Sequence, residues 1–298
     1  MSFPQESGIY FPGESNLHND IYPAINPQLT PSLHQPGKVV LITGAGRGIG
    51  RSIALQYAHA GVASIIICAR TGSELDEVEG AVKAINQEIR VLKFTVDVTN
   101  EDDIKSLAKE VERVEKRLDV LVNNAGGTNP WMLVGDSDPT SWWHTLEVNL
   151  KGPFLFFHAF LPLLVSTAEQ GKRTVDVVNV SSIGANFVMP TASAYSISKF
   201  ALNRLTEYQH AEYADKGVNA VVLHPGGIHT KLADSEPSAH PFLNDTVELP
   251  GGFVVWLTAG ARTWLGGRFV SVSWDVDALE KLKDETVAED KLKTRLVV

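Results

Sequence analysis

From Lys38 onward the chain switches repeatedly between two hydrophobic periods, and no other feature narrows its possible folds so far. Short β-branched runs occur at Val39–Thr43, Ser64–Ala69, Val91–Val96, Val120–Asn123, Val175–Val180, Ala220–Leu223 and Phe269–Val272. Between them lie stretches of helical character at Ile49–Ala60, Ser73–Ile89, Glu101–Arg117, Thr140–Ser166 and Ala194–Ala214, with breaks expected near Pro153 and Pro162. Most of the short runs are continuously apolar, as parallel strands covered on both faces require. The alternation predicts an α/β fold of three layers, a doubly wound and mostly parallel sheet with helices on both sides. With no internal repeat and no second core, residues 38–298 read as one domain. The stretch Lys231–Pro250 holds Pro237, Pro241 and Pro250 and has no strong period. It reads as an insertion at about 231–250 over the carboxyl edge of the sheet, where ligands bind in such folds.

Residues 1–37 differ from the rest, with six of the 15 prolines and no period of either kind. They read as a Pro-rich arm without which the core should fold. The arm also carries Phe3, Tyr10, Phe11 and Tyr22, so it is either a loose tail or a segment packed on its own or a neighbouring subunit.

Composition excludes several partners. Against 35 acidic side chains stand 26 Lys and Arg, a net charge of −9 that disfavours nucleic acid. Cys68 is the single cysteine, so neither an internal disulfide nor a cysteine zinc site can form. The nine histidines show no ligand spacing, and no metal is expected. One cysteine and a start containing Glu6 but no apolar run point to a reducing, cytoplasmic setting. The longest apolar stretch, Gly152–Val165, contains His158 and Pro162 and is too short to span a bilayer, so no membrane partner is expected.

The segment Thr43-Gly44-Ala45-Gly46-Arg47-Gly48-Ile49-Gly50 follows the first strand and opens the first helix. Its glycines permit a tight turn, and the helix N-terminus adds a positive dipole end, a combination suited to a pyrophosphate. Further along stand Asp97 after the third strand, Asn123-Asn124-Ala125-Gly126 closing the fourth, Asn149, Ser182, Tyr195-Ser196-Ile197-Ser198-Lys199 and Pro225-Gly226-Gly227-Ile228-His229-Thr230. Over about residues 38–230 this series resembles the short-chain dehydrogenase/reductase family, in the family's order. The segment Trp264–Trp274 looks like an ascomycete-type branch and departs from the more common V-D-G-G ending. The resemblance implies a Rossmann-type fold with seven strands in the order 3-2-1-4-5-6-7. It also implies a nicotinamide dinucleotide held by Gly44, Arg47, Gly48, Ile49, Gly50, Asp97, Val98, Asn124, Gly126, Tyr195, Lys199, Pro225, Gly226, Ile228 and Thr230.

Tyr195 and Lys199 lie four apart on a predicted helix and share a face. Such a pair is common by chance, and its force comes from Ser182 and Asn149 standing in register with it. Reduction of a ketone needs hydride at carbon and a proton at oxygen. A free tyrosine, with a pKa near ~10, is a slow donor at neutral pH. A lysine ammonium at about 4 Å is worth roughly 4 kcal/mol at an effective dielectric of 20, about three pKa units, and would bring Tyr195 toward neutrality. Ser182 would donate to the carbonyl oxygen. By resemblance, Lys199 also holds the nicotinamide ribose and Asn149 anchors a water that relays the proton. Strand alternation sends Ser181 and Ser182 to opposite sides, and the family's spacing to Tyr195 selects Ser182.

The second strand ends Cys68-Ala69-Arg70-Thr71, with no acid to bind a ribose 2′-hydroxyl. Arg70 suits a 2′-phosphate instead, and Arg47 is the second basic position that NADP-type members use. The expected activity is therefore that of an NADPH-dependent carbonyl reductase. The alternatives are an NADP-binding protein without redox work, such as a regulator or cyclase, and an NAD-dependent dehydrogenase. Trp131, Met132 and Leu133, then Phe187, Val188 and Met189, and Lys231–Glu248 are candidates to line a site for a partly hydrophobic ketone or alcohol. Trp142 and Trp143 read as core, and His224 as structural. The resemblance implies a homodimer or homotetramer pairing through the long helices near Leu146–Leu164 and Ala194–Tyr213. Phe154, Leu155, Phe156, Phe157 and Phe160 crowd the first of these beyond one sheet-packing stripe.

Overall fold

The computed structural model describes residues 4, 7–11, 13 and 17–296. Phe3, Glu6 and Pro12 lie outside them.

Seven parallel strands form one sheet in the order β3-β2-β1-β4-β5-β6-β7. They are β1 (Val39–Thr43), β2 (Ser64–Ala69), β3 (Arg90–Thr95), β4 (Val120–Asn123), β5 (Val175–Val180), β6 (Val218–His224) and β7 (Phe269–Ser271). Register is set at the centre, where Ile42 of β1 lies beside Ile67 of β2 on one side and Val122 of β4 on the other. In β1, Val40 and Ile42 enter the core on one face and Val39 and Leu41 the core on the other. Burial on both faces is why the strands read as unbroken apolar runs. On the Val40 face lie α1 (Gly48–His59), α2 (Gly72–Ile85) and α7 (Glu248–Ala259). The opposite face is covered by α3 (Glu101–Glu115) and α5 (Gly152–Gly171), with α4 (Pro139–Leu146) and α6 (Ser193–Tyr213) beside them. Two short helices, α8 (Val276–Lys281) and α9 (Lys283–Ala288), follow the sheet.

Four sequence expectations are corrected. First, α2 stops at Ile85 rather than Ile89, because Asn86 turns extended (φ −150°) and its side chain accepts from the Glu88 N–H. Second, neither Pro153 nor Pro162 breaks the fourth helical stretch. Pro153 follows closely on an irregular turn at 147–151, and Pro162 is carried inside the helix. The irregularity falls instead at Glu147–Lys151, a π turn between α4 and α5. Third, α7 was absent from the expected helices. It is buried nearly all round, so no amphipathic period marks it, and the insertion before it ends near Val247. Fourth, Pro139–Gly171 runs 33 residues as a helix, long and apolar enough by composition to cross a membrane. Phe156, Phe160 and Leu164 of that helix are fully buried in the sheet's core.

The arm is built into the domain. Ile25 is 0% exposed and packs in the same core as Phe253 of α7, and Gln35 donates to the Val255 carbonyl. Tyr22 donates to the Trp274 carbonyl and accepts from the Val276 N–H. The expectation of a core that folds without the arm does not fit this packing.

Candidate active site

The glycine loop crosses the carboxyl ends of β1 and β4 at the switch point of the sheet. Gly44 has φ +64° and lies so close to Ala125 that a Cβ would stand 2.9 Å from its Cα. A Cβ on Gly50 would be 2.4 Å from the Gly44 carbonyl oxygen. Only glycine permits either approach. Asn124 staples the turn, its Nδ2 donating to the carbonyls of Thr43 (2.8 Å) and Gly44 (3.2 Å). The side-chain amide of Asn124 thus holds the loop. No side chain caps α1 at Arg47, so the first N–H groups of Gly48, Ile49 and Gly50 have no capping partner. Thr230 faces them, its Cγ2 3.5 Å from where a Gly48 Cβ would be. The fold thus brings the glycine loop and the Pro225–Thr230 loop together, although 175 positions or more separate them in sequence.

At the end of β2, Arg70 is exposed. Arg47 Nη1 donates to Glu74 Oε1 at 2.6 Å. Asp97 accepts from both the N–H and the hydroxyl of Thr99, and these bonds hold its carboxyl below the usual range. Val98 packs against Gly152 at the start of α5.

Ser182, Tyr195, Lys199 and Asn149 converge where β5, α6 and the π turn meet. Ser182 Oγ accepts from the Gly184 N–H (3.1 Å) and lies beside the Tyr195 phenol. Burial pushes the Tyr195 pKa up, and the neighbouring Ser182 hydroxyl pulls it back. Lys199 is 4% exposed, donates to the Val180 carbonyl at 2.9 Å, and has its pKa lowered by burial to about 8. Its Nζ stands 5.8 Å from the centre of the Tyr195 ring. At this distance, and turned to Val180, Lys199 does not produce the drop in Tyr195 pKa that the spacing led us to expect. Gly126 runs over the ammonium, with a Cβ position 3.6 Å from Nζ. Both N–H groups of the Asn149 amide are committed, to the Gly127 carbonyl (2.8 Å) and Ser198 Oγ (3.0 Å), and its Oδ1 accepts from the Gly127 N–H. Asn149 therefore clamps the Asn123–Gly126 turn to α6. Ser181 points the other way, bonding to the Lys199 carbonyl and Asn203, as alternation required.

One residue escaped the sequence reading. Asp245, from the end of the insertion, accepts from the Gly227 N–H at 2.7 Å and pairs through its backbone with Ile228. Only the fold brings it there. His224, read as structural, is buried and its Nδ1 accepts from the Ile183 N–H at 3.1 Å, next to Ser182. Burial takes its pKa down to about 3, so it stays a neutral acceptor.

Over this edge, Glu236 of the insertion accepts from the Trp131 N–H and Met132 donates to the Thr191 carbonyl. Met132, Leu133, Val134 and Val188 are exposed, and Met189 packs on Gly184 behind Ser182. Trp143, expected in the core, is 62% exposed, while Trp142 donates to Ser193 Oγ. Among the described residues no cluster of His, Cys, Asp and Glu is placed to hold a metal.

Comparison with known proteins places the chain. The short chain dehydrogenase family profile matches residues 38–240. A curated short chain dehydrogenase of Monascus purpureus is 43% identical over the full length of both chains, and one of Monascus ruber is 38% identical over 95% of this chain and 93% of its own. The crystal structure of a short chain dehydrogenase from Salmonella enterica superposes with a TM-score of 0.72 at 25% identity, covering 81% of this chain and 97% of that one. With the sheet order in agreement, the chain belongs to the short-chain dehydrogenase/reductase family of oxidoreductases, and both of these curated relatives are fungal.

Proposed function

We propose that the protein is an NADPH-dependent reductase of a partly hydrophobic ketone, with Tyr195 as general acid. The observation that carries this is the meeting of Ser182 and the Tyr195 phenol beside a buried Lys199, at the edge where the glycine loop lies. The residues present fit a dinucleotide: the close-packed turn at Gly44 and Gly50, the uncapped start of α1, and Gly126 laid over Lys199. Gly44, Gly48, Ile49, Gly50 and Thr230 would hold its pyrophosphate, Asp97 and Val98 its adenine end, and Gly126, Lys199, Pro225, Gly226 and Ile228 its nicotinamide end. When bound, the cofactor supplies hydride to the carbonyl carbon. Tyr195 gives its proton to the carbonyl oxygen, and Ser182 donates to that oxygen as charge develops. Lys199, bonded to Val180 and lying under Gly126, would act on the nicotinamide end rather than on the Tyr195 pKa.

NADPH is favoured over NADH because β2 ends without an acid and Arg70 and Arg47 flank the loop. The fold carries either cofactor, so the choice rests on these residues. The exposed Met132, Leu133 and Val188 suit an apolar ketone. A cytoplasmic, homo-oligomeric enzyme completes the reading. Purified protein should consume NADPH with at least one member of a panel of polyketide-like, steroid-like and small aromatic ketones. A protein that binds NADPH but leaves every ketone unreduced would be the non-redox alternative.

A further inference from the structure

We infer that the N-terminal arm is part of the active-site scaffold, and that Asn186 is the positioning residue through which the arm holds the turn carrying Ser182. The inference rests on the assignment of Ser182 above.

The turn that follows Ser182, Ile183–Ala185, is buried and short, and two hydrogen bonds from outside fix its ends. At its start the Ile183 N–H donates to His224 Nδ1. At its end Asn186 Nδ2 donates to the carbonyl of Ser7, at 2.9 Å. Ser7 is fully buried, and the chain beyond it is pinned where Trp274 Nε1 donates to the Ile9 carbonyl. Asn186 Oδ1 in turn accepts from Asn203 Nδ2 (3.3 Å), whose Oδ1 accepts from Ser181 Oγ (2.6 Å). The single Ser181 proton is shared with the backbone carbonyl of Lys199 (3.2 Å). A continuous polar chain thus runs from the arm through Asn186 to the residue before Ser182 and to Lys199. It is buried at Ser7, Asn203 and Ser181, where a broken bond leaves polar groups without water.

The arm grips the opposite wall as well. The Thr246 N–H donates to the Asn19 carbonyl and Thr246 Oγ1 to Asp20 Oδ1. Thr246 follows Asp245, which holds Gly227 and Ile228. One segment therefore bonds to both loops between which the reacting groups lie. Ser182 must meet a carbonyl oxygen within a fraction of an ångström, so a looser turn lowers turnover while leaving the glycine loop, to which no hydrogen bond runs from the described residues of the arm, unaffected.

The test uses the full chain with Asn186→Ala and Asn186→Asp. The aspartate keeps the acceptor for Asn203 but has no N–H for Ser7. Amide exchange of the peptides spanning 7–11 and 181–190 is followed by mass spectrometry, NADPH binding by fluorescence titration, and kcat and KM on 9,10-phenanthrenequinone. Both variants should exchange at least about tenfold faster in both peptides. Each should lose about tenfold in kcat, with the NADPH dissociation constant and the quinone KM within twofold of wild type. Faster exchange in the arm alone with kcat unchanged would overturn the inference, as would an aspartate variant that behaves as wild type. A loss of kcat accompanied by weaker NADPH binding and a lower melting temperature would also overturn it, in favour of general destabilisation. Wild-type protein that reduces nothing would defeat the reductase reading, and a 181–190 peptide unchanged by both substitutions would still defeat the coupling.

Discussion

Arg47 and Glu74 form an ion pair across the mouth of the glycine loop, Nη1 to Oε1, at 2.6 Å. The pair is partly exposed, so its own strength is small. Its location gives it weight, because Glu74 neutralises one of the two arginines assigned to a 2′-phosphate.

A 2′-phosphate must therefore compete with Glu74 for Arg47. Glu74→Gln should tighten NADPH binding about three- to tenfold and leave NADH binding within twofold, read by fluorescence titration of both cofactors. Arg70→Ala should weaken NADPH by about 1.5–3 kcal/mol, the range for hydrogen bonds to charged groups, with little change for NADH. Wild-type protein that binds the two cofactors equally tightly would end this assignment.

Tyr195→Phe keeps the ring and removes the proton. The catalytic rate on any ketone the wild type reduces should fall by at least ~10²-fold, while NADPH still binds. Near-normal turnover in this variant would remove Tyr195 from its role.

Asp176, at the opposite end of β5 from Ser182, is buried, and burial raises its pKa to about 6 although Asn219 donates to it. A carboxyl whose folded pKa lies above its ordinary value of 3.8 favours the folded state only while protonated. Its contribution is lost as pH rises from about 4 to 6, and the ionised group is a cost above that. Asp176→Asn should therefore stabilise the protein at pH 7.5 by about 1–3 kcal/mol, with the gain shrinking toward pH 5. Urea unfolding at the two pH values measures it; a gain independent of pH would mean that ionisation of Asp176 is not the cause.

The crowding of aromatic residues on α5 does not leave an apolar outer face there: Leu155, Phe156, Phe157 and Phe160 are buried, and Phe157 packs edge-on against Tyr213. What is exposed is Phe154 on α5 with Ile197, Phe200 and Tyr208 on α6. We expect this narrower patch to pair two copies. Light scattering should find a dimer or tetramer, and Phe200→Glu should shift it toward monomer; a wild-type monomer at micromolar concentration rules the interface out.

What could be read from the sequence was whatever depends on local period or short spacing. Strands β1, β2, β4 and β5 have the limits their apolar runs suggest, since burial on both faces leaves a contiguous signal. Alternation sent Ser181 and Ser182 to opposite sides, and the family's spacing to Tyr195 selected Ser182. Features set by distant packing were not legible. Helix α7 lacks a polar face, so nothing in its sequence distinguishes it from loop or strand. The π turn that seats Asn149 adds no residue type of its own. Asp245 and Asn186 are ordinary loop residues until the fold gives each a partner far away in sequence, Gly227 for one and Ser7 for the other. Proline density in the arm suggested looseness, yet Ile25 and Leu33 between those prolines fill the core.

The bond from Trp274 to Ile9 joins residues 265 positions apart, and Tyr22 reaches Trp274 and Val276 over 252 and 254. On the ribosome the arm emerges well before Trp274 and Val276. Until those residues follow, Ile25 and Leu33 have only part of the surface that will cover them. Closure of so long a loop comes late and slowly, and the nascent chain carries exposed apolar side chains throughout. A truncated transcript or a stalled ribosome would therefore release a species prone to aggregate rather than a smaller working enzyme.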